Sequence, residues 1–180
     1  AAPIDQLGPV FVVVPTPLLD TPDLTVRIID TKGIDRTAAR PDLEIHLDDP
    51  HTLAVLCSGF NNAPAAETRL LLERAIETGV RSLGTHSALL VLPRPNEALA
   101  VKDESGIRVE AAAEGYELKG EQVAMSVQPL GLIDYPIGFF NAHQDDSAQV
   151  REFLSGRIAK TRQVFRARLH EITSNARTLI

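Results

Sequence analysis

Apolar and polar positions along the chain follow two rhythms. Short unbroken apolar runs fit strands buried on both faces, and longer stretches with an apolar residue every three or four positions fit helices. Residues 10–14 form a β-branched and aromatic run between Gly8-Pro9 and Pro15-Thr16-Pro17, which predicts a short strand. The turn residues Leu19-Asp20-Thr21-Pro22-Asp23 separate it from a second strand over 24–29. Two strands joined by a short polar connection predict an antiparallel hairpin. Residues 34–50 are charged and carry Pro41 and Pro50, so they read as a mobile loop. One or two helical turns open there at Pro41-Asp42-Leu43-Glu44-Ile45.

From there the two rhythms alternate. Residues 52–57 predict a buried strand, and Ser58-Gly59-Phe60-Asn61-Asn62 the turn out of it. A helix follows over 64–78, with Asn61 or Asn62 as cap, Pro64 in the first turn and Gly79 as the stop. Residues 87–92 are another buried strand, closed by Pro93-Arg94-Pro95. Beyond them lie a turn over 102–106, a small exposed strand over 107–110, a helix over 116–128 and a strand over 135–140. From Ser147 the pattern is helical to the end, with Val150, Leu154, Ile158, Thr161, Phe165, Leu169, Ile172, Ala176 and Leu179 on one stripe. At 1.5 Å per residue that helix is roughly 45–50 Å long. The prediction is an α/β fold: a mostly parallel sheet with an antiparallel N-terminal hairpin, helices on both faces and a long C-terminal helix. Residues 1–146 form the α/β unit, and 147–180 the helix packing on it or leading out of it.

Composition sharpens the class. A chain of 180 residues, 44% apolar and 23% charged, is ordinary for one domain with a full core. There is no Trp, so aliphatic side chains must fill that core. The net charge of −6 argues against nucleic acid as a partner, because no cationic excess neutralises phosphates. Cys57 is the single cysteine, which excludes an internal disulfide and fits a reducing compartment, hence a cytoplasmic location. No apolar stretch approaches the ~20 residues of a membrane span. The first residues lack the charged start and apolar core of a signal peptide, and there is no initiator Met, as expected of a fragment or processed product.

Chemistry enters at Asp30-Thr31-Lys32-Gly33, which follows the strand over 24–29 directly. Acidic residues at the carboxyl end of a strand stand where ligands collect in α/β proteins, and a glycine lets backbone come close to a phosphate. Taken with the strand and helix order after it, this motif resembles the third motif of P-loop GTPases, and the chain is most similar to the dynamin-like large GTPases. The resemblance implies that Asp30 and Gly33 are catalytic. Asp30 would reach a Mg²⁺ carried with GTP or another nucleotide, and the Gly33 N–H would sense the γ-phosphate. It also implies nucleotide contacts from Thr31 and Lys32, and a base-contacting loop at Phe140-Asn141-Ala142, with Asn141 as the ligand residue. Residues 34–49 would be the nucleotide-dependent switch.

Two family motifs are absent. No Gly-x-x-x-x-Gly-Lys-[Ser/Thr] occurs, and where Asn-Lys-x-Asp would follow Leu92 the chain reads Pro93-Arg94-Pro95-Asn96-Glu97. The resemblance therefore implies NTP hydrolysis only when a segment upstream of residue 1, or a partner chain, supplies the phosphate loop. A homo-oligomer is a further expected assembly. Two other readings stand beside this one. The first is a non-catalytic GTPase-like interaction module working through the long terminal helix. The second is a metal-dependent phosphohydrolase built from His46, Asp48, Asp49 and His51 with His143, Asp145 and Asp146, ligand types suited to a hydrolytic metal site. Asp145 or Asp146 also suits capping of the last helix, His86 suits the opening of a strand, and Cys57 reads as packed and inert.

Overall fold

A computed structural model of the chain describes residues 11–12, 19, 24–31, 41–49, 51–80 and 82–178. In chain order the elements are β1 (Phe11–Val12), β2 (Ile28–Ile29), α1 (Pro41–Asp48), β3 (Ala54–Gly59), α2 (Ala66–Glu77), α3 (Leu83–His86), β4 (Ser87–Leu92), α4 (Ala112–Val127), β5 (Ile137–Phe139) and α5 (Ser147–Thr178). The centre is a parallel sheet in the order β3-β4-β5. Its register sets Leu56 beside Leu89, Cys57 beside Leu90 and Val91 beside Phe139. β4 is buried from Ser87 to Val91, as befits a middle strand rich in Leu and Val. β3 alternates instead: Leu56 and Ser58 are buried while Cys57 and Gly59 are exposed.

The core gathers around this sheet. Leu71, Leu72 and Ala75 of α2, Leu43 and Leu47 of α1, and Val123 and Val127 of α4 join Leu56, Leu89 and Val91. Leu72 is 1% exposed, a burial that contributes about 1.5–3 kcal/mol. Arg74 holds Glu44 at 3.1 Å and ties α2 to α1. α2 ends at Gly79, whose φ of +94° takes the left-handed turn that closes a helix. Its start differs from the expected cap. Phe60–Asn62 form a turn of 3-10 helix, Ala65 stands at the N-cap without a side-chain bond, and Ser58 Oγ accepts from the Ala65 N–H at 3.3 Å. Asn61 is thereby released for another contact.

Other expectations shift in extent. β1 and β2 pair antiparallel, Phe11 with Ile29 and Val12 with Ile28, but the ladder is two residues long and Thr25 to Arg27 leave it. Most of the connection lies outside the described residues, so the antiparallel hairpin is not seen as an element. The middle strand β4 matches its expected bounds, and β3 runs two residues later than expected. The 41–48 stretch is a two-turn helix because Leu43 and Leu47, four apart, share a buried face. The exposed strand at 107–110 reduces to one antiparallel bridge, Lys102 with Arg108, since Asp103 Oδ1 accepts from the Ser105 and Ile107 N–H groups and curls the chain. α5 is capped by Asp146, which accepts from the Ala148 N–H at 2.9 Å. No helix among the described residues is long and apolar enough to cross a membrane.

Candidate functional site

Parallel strands all end at one edge of their sheet, so the loops after β3, β4 and β5 open side by side there. Two of them are tied directly. Asn61, in the turn after β3, donates from Nδ2 to Glu97 Oε1 at 2.8 Å, across the gap to the loop after β4. The other oxygen, Glu97 Oε2, accepts from the Arg94 N–H at 2.7 Å. Asn96 beside it takes a φ of +66°, a left-handed conformation that Asn tolerates better than most residues. The loop after β5 is organised by Asn141, which is 1% exposed. Its Nδ2 donates to Gln144 Oε1 at 2.8 Å, its Oδ1 accepts from the His143 N–H at 3.0 Å, and its own N–H donates to Asp145 Oδ2 at 2.7 Å. The Asn141 side chain also faces the Tyr116 hydroxyl closely enough to lower its pKa.

Beneath these loops lies an aromatic cluster. Phe60 meets Tyr116 at 6.1 Å and Phe139 at 6.2 Å between ring centroids, and Tyr116 stacks on Phe139 at 5.1 Å. The first turns of α4 reach this depth because Gly115 has no side chain: a Cβ there would stand 2.1 Å from the Ala98 carbonyl oxygen. One turn further, Lys119 is 9% exposed and its ammonium lies 5.8 Å from the Phe60 ring centroid. Burial pushes its pKa down. Burial, then the Asp145 carboxylate, pushes the Tyr116 hydroxyl up, and the Asn141 side chain works against both. Among the described residues no carboxylate pairs with Lys119, so this edge presents a cation on a largely buried stem beside an aromatic wall.

Asp30 stands elsewhere. It is exposed just after β2, close enough to Cys57 for its charge to raise that thiol's pKa, after the larger effect of burial. That puts the Asp30 charge within electrostatic reach of β3 at Cys57. Asn141 follows β5, two strand spacings or roughly 10 Å across the sheet. Thr31 is half-buried, and Lys32 and Gly33 lie outside the described residues. The polar atoms of Asn141 serve its own loop in this arrangement. Cys57 is exposed on β3 rather than packed as expected, while its raised pKa keeps the thiol protonated.

The two His/Asp clusters do not meet. Asp49 and His51 precede β3 and so lie toward the amino edge, where the Asp49 carboxylate accepts from the His51 N–H and the Thr52 hydroxyl. His143, Asp145 and Asp146 follow β5 at the carboxyl edge. Among the described residues no group of three His, Cys, Asp or Glu is placed to hold a metal. Sequence reasoning passed over Glu97, Tyr116 and Lys119. The last two are three apart at the start of a helical pattern, so they share a face, and that spacing was the available signal. Comparison with known proteins adds no identity: no family model, no curated protein and no solved structure matches the chain.

Proposed function

We propose that this chain is the distal part of a nucleotide-binding domain of the P-loop GTPase type. In the complete domain the sheet would carry the antiparallel hairpin on one side and helices on both faces. The observation that carries this reading is the Asp30 charge within electrostatic reach of Cys57 on β3, the first strand of a parallel β3-β4-β5 sheet. β3 has no strand on its outer side among the described residues, and a strand added to the sheet there would pair along that edge. A further parallel strand there would bring its exit loop between Asp30 and the turn at Phe60–Asn62. A phosphate-binding loop belongs in that position. Asp30 and Gly33 would then serve the metal and the γ-phosphate, Thr31 and Lys32 the nucleotide beside them, and the loop of Asn141 the base side.

A single exposed carboxylate with a neighbouring hydroxyl suits Mg²⁺ that arrives on phosphates, since that ion keeps most of its shell from phosphate and water. Asp30 would hold it, with the metal supplying charge neutralisation. The test is calorimetry of the full-length parent protein with Mg²⁺ and GTP or ATP. Binding is expected, with Asp30→Ala abolishing Mg²⁺-dependent turnover. A parent without a Gly-Lys-[Ser/Thr] loop, or normal turnover by Asp30→Ala, overturns the reading.

A second reading, a non-catalytic module of the same fold, is favoured by one contact. Both oxygens of the Glu97 carboxylate, where the family reads guanine, are engaged in tying loops together. Absence of nucleotide binding by the parent is its expected result.

A further inference from the structure

α5 has two halves with different surroundings. Up to Phe165 it is anchored: Arg157 Nη2 donates to the Gly84 and Thr85 carbonyls, Thr161 Oγ1 donates to Thr85 O, and Phe165 lies against His51 and His86. From Arg166 to Thr178 every residue is exposed. That half still carries an apolar seam. Leu169 is 65% exposed, Ile172 56% and, at its margin, Val164 42%. Phe165, Leu169, Ile172 and Ala176 recur at alternating steps of four and three, the spacing by which one helix packs along another. Arg166 and Arg168 flank the seam on either side, and residues 162–178 hold four arginines against one glutamate in a chain of net charge −6. The hydroxyls of Thr173 and Thr178 bond back to carbonyls of their own helix.

We propose that residues 166–178 are the docking surface for an acidic amphipathic helix of a partner protein, with Leu or Ile along its seam and Glu or Asp at the flanking positions. Charge complementarity selects this occupant. A second copy would bring like-charged arginine flanks together within a chain already of one net sign. A membrane surface calls for a broad apolar face with bulky anchors, and among the described residues this seam offers Leu169 and Ile172, with Val164 at its margin, in a chain without Trp. The inference does not rest on nucleotide binding.

The experiment titrates the intact chain with a synthetic three-heptad helix, Leu at the seam and Glu at the flanks, and with the same helix carrying Lys at the flanks. The Glu helix is expected to bind. Leu169→Glu with Ile172→Glu should weaken it by at least about tenfold. Arg166→Glu with Arg168→Glu should lose the Glu helix and gain the Lys helix. The substituted residues are exposed, and unchanged circular dichroism checks that the fold persists. Four results overturn the proposal: no binding of the Glu helix; equal binding of both helices; a dimer of the chain abolished by Leu169→Glu; or binding to phosphatidylglycerol vesicles in place of the helix.

Discussion

Gly115 and Gly120 lie on one helix and should answer the same substitution with opposite sign. A Cβ at Gly115 would meet the Ala98 carbonyl oxygen at 2.1 Å, and backbone cannot swing away as a side chain can. Gly115→Ala is expected to destabilise by roughly 1–3 kcal/mol. At Gly120 the nearest atom is Phe139 Cε2 at 3.7 Å, ordinary contact, so Gly120→Ala should gain about 0.5–1 kcal/mol from helix propensity. Urea denaturation of both variants measures the difference. Asp30 admits an equally local test. Its carboxylate helps hold the Cys57 thiol above its ordinary pKa, so Asp30→Asn should raise the thiolate fraction and speed alkylation of Cys57 near pH 8. An unchanged rate would remove Asp30 from that neighbourhood. At this level the sequence was partly legible. The resemblance gave Asn141 as a base contact; the bonds it makes hold its own loop, through contacts that no spacing encodes. Lys119 was passed over because a lone lysine in a helical pattern ordinarily marks a solvated face.

β4 was read to the residue because an unbroken apolar run between turn residues has one stable solution, burial in the middle of a sheet. The short helix α3 escaped notice because Leu83–His86 is too brief to show a period. The start of α4 was read four residues late, since Ala111 offers no capping side chain to mark it. The packing of α5 on α3 lets a pH effect be stated. His86 sits under Phe165, and burial lowers its pKa from the ordinary 6.5, opposed by the Asp49 carboxylate and aided by His51. The unfolded chain therefore takes up a proton before the folded one does. Stability should be full above pH 6.5 and fall as pH drops from there through the lowered folded value. His86→Gln should flatten that limb of the pH-stability curve. Hydrogen exchange should divide α5 likewise, with amides up to Phe165 protected and those from Arg166 onward exchanging much faster.

Among the described residues the domain is a small parallel sheet whose middle strand is buried from Ser87 to Val91 and whose neighbour β3 exposes Cys57 and Gly59. On the proposed reading, the 180 residues alone should show no change in melting temperature with Mg²⁺ and GTP or ATP, because no Gly-x-x-x-x-Gly-Lys-[Ser/Thr] occurs in them. In the full-length parent, nucleotide at about a hundred times its dissociation constant should contribute about 2.7 kcal/mol. That is a rise of roughly 5–10 °C for a domain of this size. A rise in the short chain would show that its own loops complete a site. Geometry adds a mechanical consequence to the long helix. α5 springs from the loop that Asn141 organises and rests where the Phe153 ring would lie 2.9 Å from a Cβ at Gly138. Beyond Phe165 it runs free for about 20 Å at 1.5 Å per residue. A tilt of about 5° at that fulcrum swings the tip by about 2 Å over this length. α5 is thus a lever whose short arm ends at the carboxyl edge of the sheet, and a small rearrangement there becomes a stroke at Arg177.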